Sequence, residues 1–237
     1  MSAPPLVSVV IPVFNGARFL GEAIRSVLDQ TYRPFELIVV DDGSTDGSVA
    51  LARAFAGVRV LAQEHAGPGV ARNRGVAAAR GELLAFLDAD DVLPPDKLEV
   101  QVGHLLEHPE VGCVLGRLET ILEPGTELPA WAFTAAATAE RRPDLPERGQ
   151  VPLISMVLRA SLFHELGGFD PTYRYGEDAD LLMRITRLAP VVTLDSVVLH
   201  RRIHDANVSH DVSALRRATF RVLKDHMRRL RADEASG

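Results

Sequence analysis

Five apolar residues run without interruption into three carboxylates within residues 81–91, which read Gly-Glu-Leu-Leu-Ala-Phe-Leu-Asp-Ala-Asp-Asp. A short continuous apolar run bounded by turn residues predicts a strand buried on both faces, as in a parallel sheet. Open α/β sheets bind ligands in a crevice outside the carboxyl ends of their strands. The run therefore favours an α/β fold and brings Asp88, Asp90 and Asp91 to a candidate binding site.

Two interpretations of this acidic cluster are open. Three like charges within four residues repel one another, and either solvent or a divalent cation with oxygen ligands relieves the repulsion. The first interpretation is a hydrated loop whose last aspartate caps the next helix. The second is a metal site, and the local sequence does not decide between them.

Length and composition limit the class of protein. The 237 residues, of which 46% are hydrophobic and 24% charged, are typical of a globular protein with a sizeable core. The net charge of −6 argues against nucleic acid as a partner. A single cysteine, Cys113, fits a reducing compartment, and no apolar run approaches the roughly 18 residues of a membrane span. We expect a cytoplasmic protein.

The first 92 residues alternate between strand and helix patterns. Apolar side chains at helical spacing in residues 17–30 predict an amphipathic helix, and a second helix is expected to begin at Ser44 or Thr45 and to run to about residue 56. β-branched and apolar runs predict strands around these helices, at 7–13, 35–40 and 58–62. The βαβ pattern predicts a mostly parallel central sheet flanked by helices.

A third helix opens at the Gly-Pro-Gly segment of residues 67–69. Arg72 and Arg74 lie close to its amino terminus, where backbone N–H groups and guanidinium groups together favour an anionic ligand. The alternative is a surface helix whose arginines are solvated.

Four motifs, in order along the chain, resemble family 2 glycosyltransferases of the GT-A (Rossmann-like) fold. They are Val-Ser-Val-Val-Ile-Pro-Val-Phe-Asn at 7–15, Val-Val-Asp-Asp-Gly-Ser-Thr-Asp-Gly-Ser at 39–48, Gly-Val-Ala-Arg-Asn-Arg-Gly at 69–75 and Asp-Ala-Asp-Asp at 88–91. The resemblance implies that Pro12, Phe14 and Asp42 hold the base of a nucleotide-sugar donor. It also implies that Asp88 and Asp90 form the D-x-D motif, which meets ribose, diphosphate and a divalent cation, Mn²⁺ or Mg²⁺.

The resemblance continues into the second half of the chain. Gly-Phe-Asp at 168–170, followed by Glu177 and Asp178, resembles the family's acceptor side, and the residue matching Asp178 is the catalytic base. Glu177 is then an acceptor-side candidate. The structural alternative is that these acids only complement the dipole of the helix that they open.

Residues 200–209 resemble the family's Tyr-Arg-x-His…Asn-x-Ser segment, with His200 at the position where an aromatic residue is common. His204 is a candidate metal ligand or diphosphate contact. The alternative is an ordinary surface histidine.

Two segments have two interpretations each. Residues 123–150 are interrupted by four prolines and carry Trp131, which predicts either a lid over the acceptor with Trp131 stacked on a sugar, or a surface excursion. Residues 212–231 predict a basic helix that either contacts an anionic membrane at the periphery or packs one face on the domain.

We therefore predict one GT-A domain over residues 1–237, with a nucleotide-sugar half (1–92), an acceptor half (93–211) and a C-terminal helix and tail (212–237). The expected activity is metal-dependent, inverting transfer of a sugar from a UDP-, dTDP- or GDP-type donor to an acceptor hydroxyl in polysaccharide, glycolipid or glycoconjugate synthesis. One rival is a sugar-1-phosphate nucleotidyltransferase, which needs a glycine-rich basic loop where residues 14–17 read Phe-Asn-Gly-Ala. The other is a non-catalytic nucleotide-sugar-binding protein.

Overall fold

The computed structural model describes residues 3–126, 155–207 and 212–234. These residues contain seven strands: β1 (Val7–Val13), β2 (Phe35–Asp41), β3 (Val58–Ala62), β4 (Leu83–Phe86), β5 (Cys113–Leu122), β6 (Val157–Arg159) and β7 (Val191–Ile203). They also contain seven helices: α1 (Leu20–Leu28), α2 (Ser48–Arg53), α3 (Pro68–Ala78), α4 (Lys97–Glu107), α5 (Ala160–Glu165), α6 (Glu177–Leu188) and α7 (Val212–Glu234).

All seven strands join one sheet in the order β3-β2-β1-β4-β6-β5-β7. The first four strands run parallel to one another, and β5 runs parallel to β7. Only β6 runs against its two neighbours, β4 and β5. The predicted α/β class and the mostly parallel central sheet are confirmed.

Both faces of the sheet are covered by helices. Successive side chains of β1 point to opposite faces, so that Val9 and Ile11 pack with α1 and α4 while Val10 packs with α3, α5 and α6. Helix α3 approaches this second face so closely that a Cβ atom added to Gly75 would lie 2.4 Å from Val10 Cγ1. Two-sided burial explains why β1 and β4 read as continuous apolar runs.

Pro12 is buried inside β1 although proline cannot donate to a ladder. The pairing of β1 with β4 ends at the Val10–Phe86 pair, two residues before Pro12. The missing N–H therefore costs the sheet little.

The start of the second helix differs from the prediction. The second helix begins at Ser48 after an N-cap at Gly47, so the prediction that Ser44 or Thr45 caps it was wrong. Ser44 instead accepts a hydrogen bond from the Asn15 N–H at 2.9 Å.

Within the described chain, no helix combines the length and apolar content that a bilayer span requires.

Candidate functional site

The sheet brings the carboxyl ends of β1, β2 and β4 to one edge, with β1 in the middle. Chain order reverses direction at β1, and such a point opens a crevice between the loops that follow the neighbouring strands. Phe14, Asp42 and Asp88 follow these three strands directly or after one residue. The sequence-predicted donor residues therefore share one sheet edge.

The loops after β1 and β2 are tied together by hydrogen bonds. The Gly16 N–H donates to Ser48 Oγ at 3.0 Å, and the Ala17 N–H donates to Asp46 Oδ2 at 3.0 Å. The Thr45 N–H donates to Asn15 Oδ1 at 2.8 Å. The position of Phe14 is therefore fixed by two loops rather than one.

Asp42 is buried, and its carboxylate organises the loop after β3. The N–H groups of Ala66 and Gly67 donate to it at 2.8 and 2.9 Å, and Gln63 Nε2 donates at 2.7 Å. His65 Nδ1 lies 3.0 Å from Asp42 Oδ2. This places the centroid of the His65 ring 4.1 Å from that of the half-exposed Phe14, so the two rings pack together at this edge of the sheet.

Asp88, Asp90 and Asp91 each present a carboxylate oxygen, and these three oxygens lie within 4.8 Å of one another. Burial and the neighbouring Asp88 raise the pKa of Asp90, and burial with both neighbouring acids raises the pKa of Asp91 well above its usual range. Crowded carboxylate oxygens are the donor set that hard divalent cations prefer, and a cation would relieve the repulsion. The residues therefore fit a Mg²⁺ or Mn²⁺ site.

The segment that follows β7 holds the side chain of Asp90. His204 Nε2 and Asn207 Nδ2 both lie 3.1 Å from Asp90 Oδ2. The Ala206 N–H donates to His204 Nδ1 at 3.2 Å, so Nδ1 is the acceptor and the proton on Nε2 points at Asp90. In this arrangement the hydrogen bond to Asp90 connects His204 to the candidate cation site.

Arg202 pins the acidic loop to β7. Its backbone N–H donates to Asp91 Oδ1 at 2.7 Å, and its Nε donates to the Asp90 carbonyl at 3.0 Å. The remaining guanidinium nitrogens bond to Glu22 and Glu123. The geometry of the acidic loop therefore depends on residues distant in sequence.

Arg72 is buried and bridges the two halves of the site. Its Nη2 lies 2.6 Å from Asp88 Oδ1, and its Nη1 lies 2.8 Å from Glu177 Oε1. Glu177 is itself buried. Arg72, which was predicted to contact the donor, and Glu177, which was predicted to lie on the acceptor side, are thus paired with each other in this structure.

Asp178 lies in the first turn of α6, directly after Glu177. The Ala179 N–H donates to its Oδ1 at 2.8 Å. Burial and the neighbouring Glu177 carboxylate raise the pKa of Asp178 to about 6, against the lowering by this hydrogen bond and by Arg72. A carboxylate with this pKa can accept a proton near neutral pH.

Of the predicted site residues that the structure describes, Arg74 does not join this cluster. Arg74 is exposed on α3, and Trp131 lies outside the described residues. Sequence reasoning missed Asn73, which clamps α3 to the turn before α6 through hydrogen bonds of 2.8 and 2.9 Å with the Phe169 backbone. It also missed His65 and Arg202, because their partners in the site, Asp42 and Asp91, are 23 and 111 residues away.

The family described as Glycosyl transferase family 2 matches residues 8–165. An uncharacterised glycosyltransferase of Rickettsia felis is 34% identical over 220 residues, a match that covers 88% of this chain and 36% of the relative. The chain thus spans about a third of the length of that relative.

Two solved structures show the same fold. S. aureus TarS 1-349 in complex with UDP-GlcNAc has a TM-score of 0.67 at 22% identity, over 85% of this chain and 59% of that one. The mannosyltransferase PcManGT from Pyrobaculum calidifontis, in complex with GDP-Man and Mn²⁺, has a TM-score of 0.68 at 23% identity, over 97% of this chain and 65% of that one. Together with the match over residues 8–165, these findings show that the chain belongs to the family 2 glycosyltransferases and has the GT-A fold.

Proposed function

We propose that this chain catalyses metal-dependent transfer of a sugar from a nucleotide-sugar donor to an acceptor hydroxyl, with inversion at the anomeric carbon. One observation carries the proposal. Arg72 joins Asp88 of the acidic cluster to Glu177, the residue beside Asp178, so a candidate cation site and a carboxylate with a raised pKa belong to one site.

Asp178 acts as the general base in this proposal. It takes the proton of the acceptor hydroxyl, and the acceptor oxygen attacks the anomeric carbon while the bond from that carbon to the nucleotide diphosphate breaks. The leaving diphosphate takes the bonding electron pair. A single in-line displacement of this kind inverts the configuration.

Asp88 and Asp90 would hold the cation, Mn²⁺ or Mg²⁺, with Asp91 beside them and His204 as a ligand or as the residue that orients Asp90. A bound cation supplies charge neutralisation to the leaving diphosphate. Arg72 holds the Asp88 side chain in place.

The donor base is assigned to Pro12, Phe14 and Asp42, with Asp42 acting through the loop that it organises. The neighbours named above were solved with UDP-GlcNAc and with GDP-Man, so UDP- and GDP-type donors are the first to test, followed by dTDP-type donors. The division into a donor half (1–92) and an acceptor half (93–211), a cytoplasmic location and a role in polysaccharide, glycolipid or glycoconjugate synthesis belong to the same proposal.

A panel of nucleotide sugars tests the proposal. We expect one donor, together with Mn²⁺ or Mg²⁺, to raise the melting temperature and to be hydrolysed slowly, because ligands that bind only the native state stabilise it. Stabilisation without any turnover across acceptors would support a non-catalytic binding protein. Pyrophosphate release from a nucleoside triphosphate and a sugar 1-phosphate would instead support a nucleotidyltransferase.

A further inference from the structure

Helix α7 has an inner face that packs beside α6. Val222 is buried and lies 3.2 Å from the position of a Cβ atom on Gly176. Tyr173 donates its hydroxyl proton to Asp225 at 2.8 Å, and Arg229 Nη1 lies 2.6 Å from Asp180 Oδ1. Residues 222, 225 and 229 are spaced by three and four, so they share one side of the helix.

The opposite side of α7 exposes an apolar stripe. Phe220 is 74% exposed, Met227 49% and Leu223 42%. Their spacing of three and four residues places them together on the helix surface. Three large apolar side chains aligned on one exposed face are typical of an interaction surface.

Basic side chains accompany this stripe. Residues 217–231 contain six arginines and lysines and one acid, Asp225, so the segment carries a net charge of +5 in a chain whose net charge is −6. Asp225 already accepts the Tyr173 hydroxyl on the inner face. Arg217, Lys224 and Arg231 are exposed. The outer face of α7 is therefore apolar and cationic.

We propose that the outer face of α7 lies on an anionic lipid surface. The apolar stripe enters the boundary between headgroups and acyl chains, and Arg217, Lys224 and Arg231 meet lipid phosphates, with the 23-residue helix parallel to the membrane plane. The charge pattern favours lipid over a second copy, because two copies facing each other through α7 would bring like charges together. The surface is separate from the proposed transfer chemistry.

Co-sedimentation of the 237-residue chain with vesicles tests this inference. We expect binding to phosphatidylcholine vesicles that contain phosphatidylglycerol and little binding to phosphatidylcholine alone. Each basic residue near an anionic surface contributes about 1 kcal/mol, so Arg217→Gln/Lys224→Gln/Arg231→Gln should weaken partitioning on the order of 100-fold. Phe220→Ser/Met227→Ser should weaken it by at least about tenfold.

The matched control replaces apolar residues of similar exposure on other helices. Leu106 on α4 is 55% exposed and Leu188 on α6 is 53% exposed, and Leu106→Ser/Leu188→Ser should leave vesicle binding unchanged. Circular dichroism and thermal melting check that each variant is folded. Raising the ionic strength from about 0.1 M to about 1 M shortens the Debye length from about 10 Å to about 3 Å and should release most of the bound wild type.

Three results would overturn the inference. They are absence of wild-type binding to anionic vesicles, equal weakening by the stripe variant and by the control, and a dimer in light scattering that Phe220→Ser/Met227→Ser dissociates while vesicle binding persists. The last result would identify α7 as a contact between copies of the chain.

Discussion

Arg72 Nη2 lies 2.6 Å from Asp88 Oδ1, and this ion pair joins the third helix to the acidic loop after β4. The other terminal nitrogen of the same guanidinium group, Nη1, holds Glu177 at the start of α6. Arg72 therefore sets the relative position of the candidate cation site and the candidate base.

Replacing Arg72 should destabilise the fold as well as the site. Arg72→Met leaves Asp88 and the buried Glu177 without their shared partner, and breaking a buried pair in this way costs about 3–5 kcal/mol. Arg72→Lys has one ammonium group in place of two separated guanidinium nitrogens, so it should restore only part of the lost stability. Urea unfolding measures both variants, with the exposed Arg74→Met as control. Equal stability of the Arg72→Met and Arg74→Met proteins would contradict this role.

Asp90→Ala should abolish the effect of divalent cations on donor binding. The side chain is one of three carboxylates in the cluster, and His204 and Asn207 are placed to orient it. Calorimetry with a donor in the presence of Mn²⁺ or Mg²⁺ is the measurement. Glu107→Ala removes an exposed carboxylate at the end of α4 and should bind donor as the wild type does. Unchanged metal-dependent affinity in Asp90→Ala would remove this residue from the cation site.

The pH dependence of transfer should reflect Asp178. Its pKa is raised to about 6, first by burial and then by Glu177, and the base works only when deprotonated. Activity should therefore rise with pH through about 6. Glu177→Gln removes a negative neighbour and lowers the pKa of Asp178, so the acidic limb of kcat/KM should move to lower pH. The exposed Glu165→Gln should leave it in place, and a limb that stays or moves upward in Glu177→Gln would exclude this coupling.

A buried lysine should make stability depend on pH. Lys97 donates to Gln101 Oε1 at 2.5 Å and to the Ser155 carbonyl at 3.2 Å, and burial lowers its pKa to about 7. Above this pH the unfolded chain binds more protons at Lys97 than the native state does, so the contribution of Lys97 to stability rises with pH. Above about pH 9 Cys113, whose pKa burial raises to about 12, opposes the trend.

Urea unfolding of wild type and Lys97→Met at pH 7 and pH 9 tests this sign. The free energy of unfolding of the wild type should increase relative to that of the variant by at most about 1.4 kcal/mol for each pH unit. A difference that stays constant between pH 7 and pH 9 would show that Lys97 stays charged in the native state, and a difference that shrinks would contradict the predicted sign.

The fold was largely predictable from local patterns. Continuous apolar runs identified β1, β2 and β4 because two-sided burial leaves a signal within a few residues. The start of α2 was not predictable, because Ser44 bonds to the loop after β1 instead of capping the helix. Asp46 bonds both to that loop and to the Ser48 N–H at the start of α2. Such contacts depend on the order of strands in the sheet, which residues 44–48 do not encode.

Local motifs identified the acids of the site but not the groups that hold them. Charge and the family resemblance identify Asp88, Asp90 and Asp178. Arg202 lies in a run of basic residues, and the local sequence does not indicate which groups it contacts. Its bonds to Glu22 and Glu123 span 180 and 79 residues. Arg72 was predicted to face an anionic ligand, and in this structure the anions that it faces are Asp88 and Glu177.

Sugar transfer by Asp178→Asn tests the central claim most directly. The substitution keeps the shape of the side chain and removes the proton acceptor. A general base contributes on the order of 10²–10⁴ in rate, so transfer should fall by about that factor. Donor and cation affinity of the same purified variant should barely change, because Asp178 does not belong to the acidic cluster. Near-normal transfer would contradict the assignment of Asp178 as the base, and lost donor binding would place it on the donor side of the site.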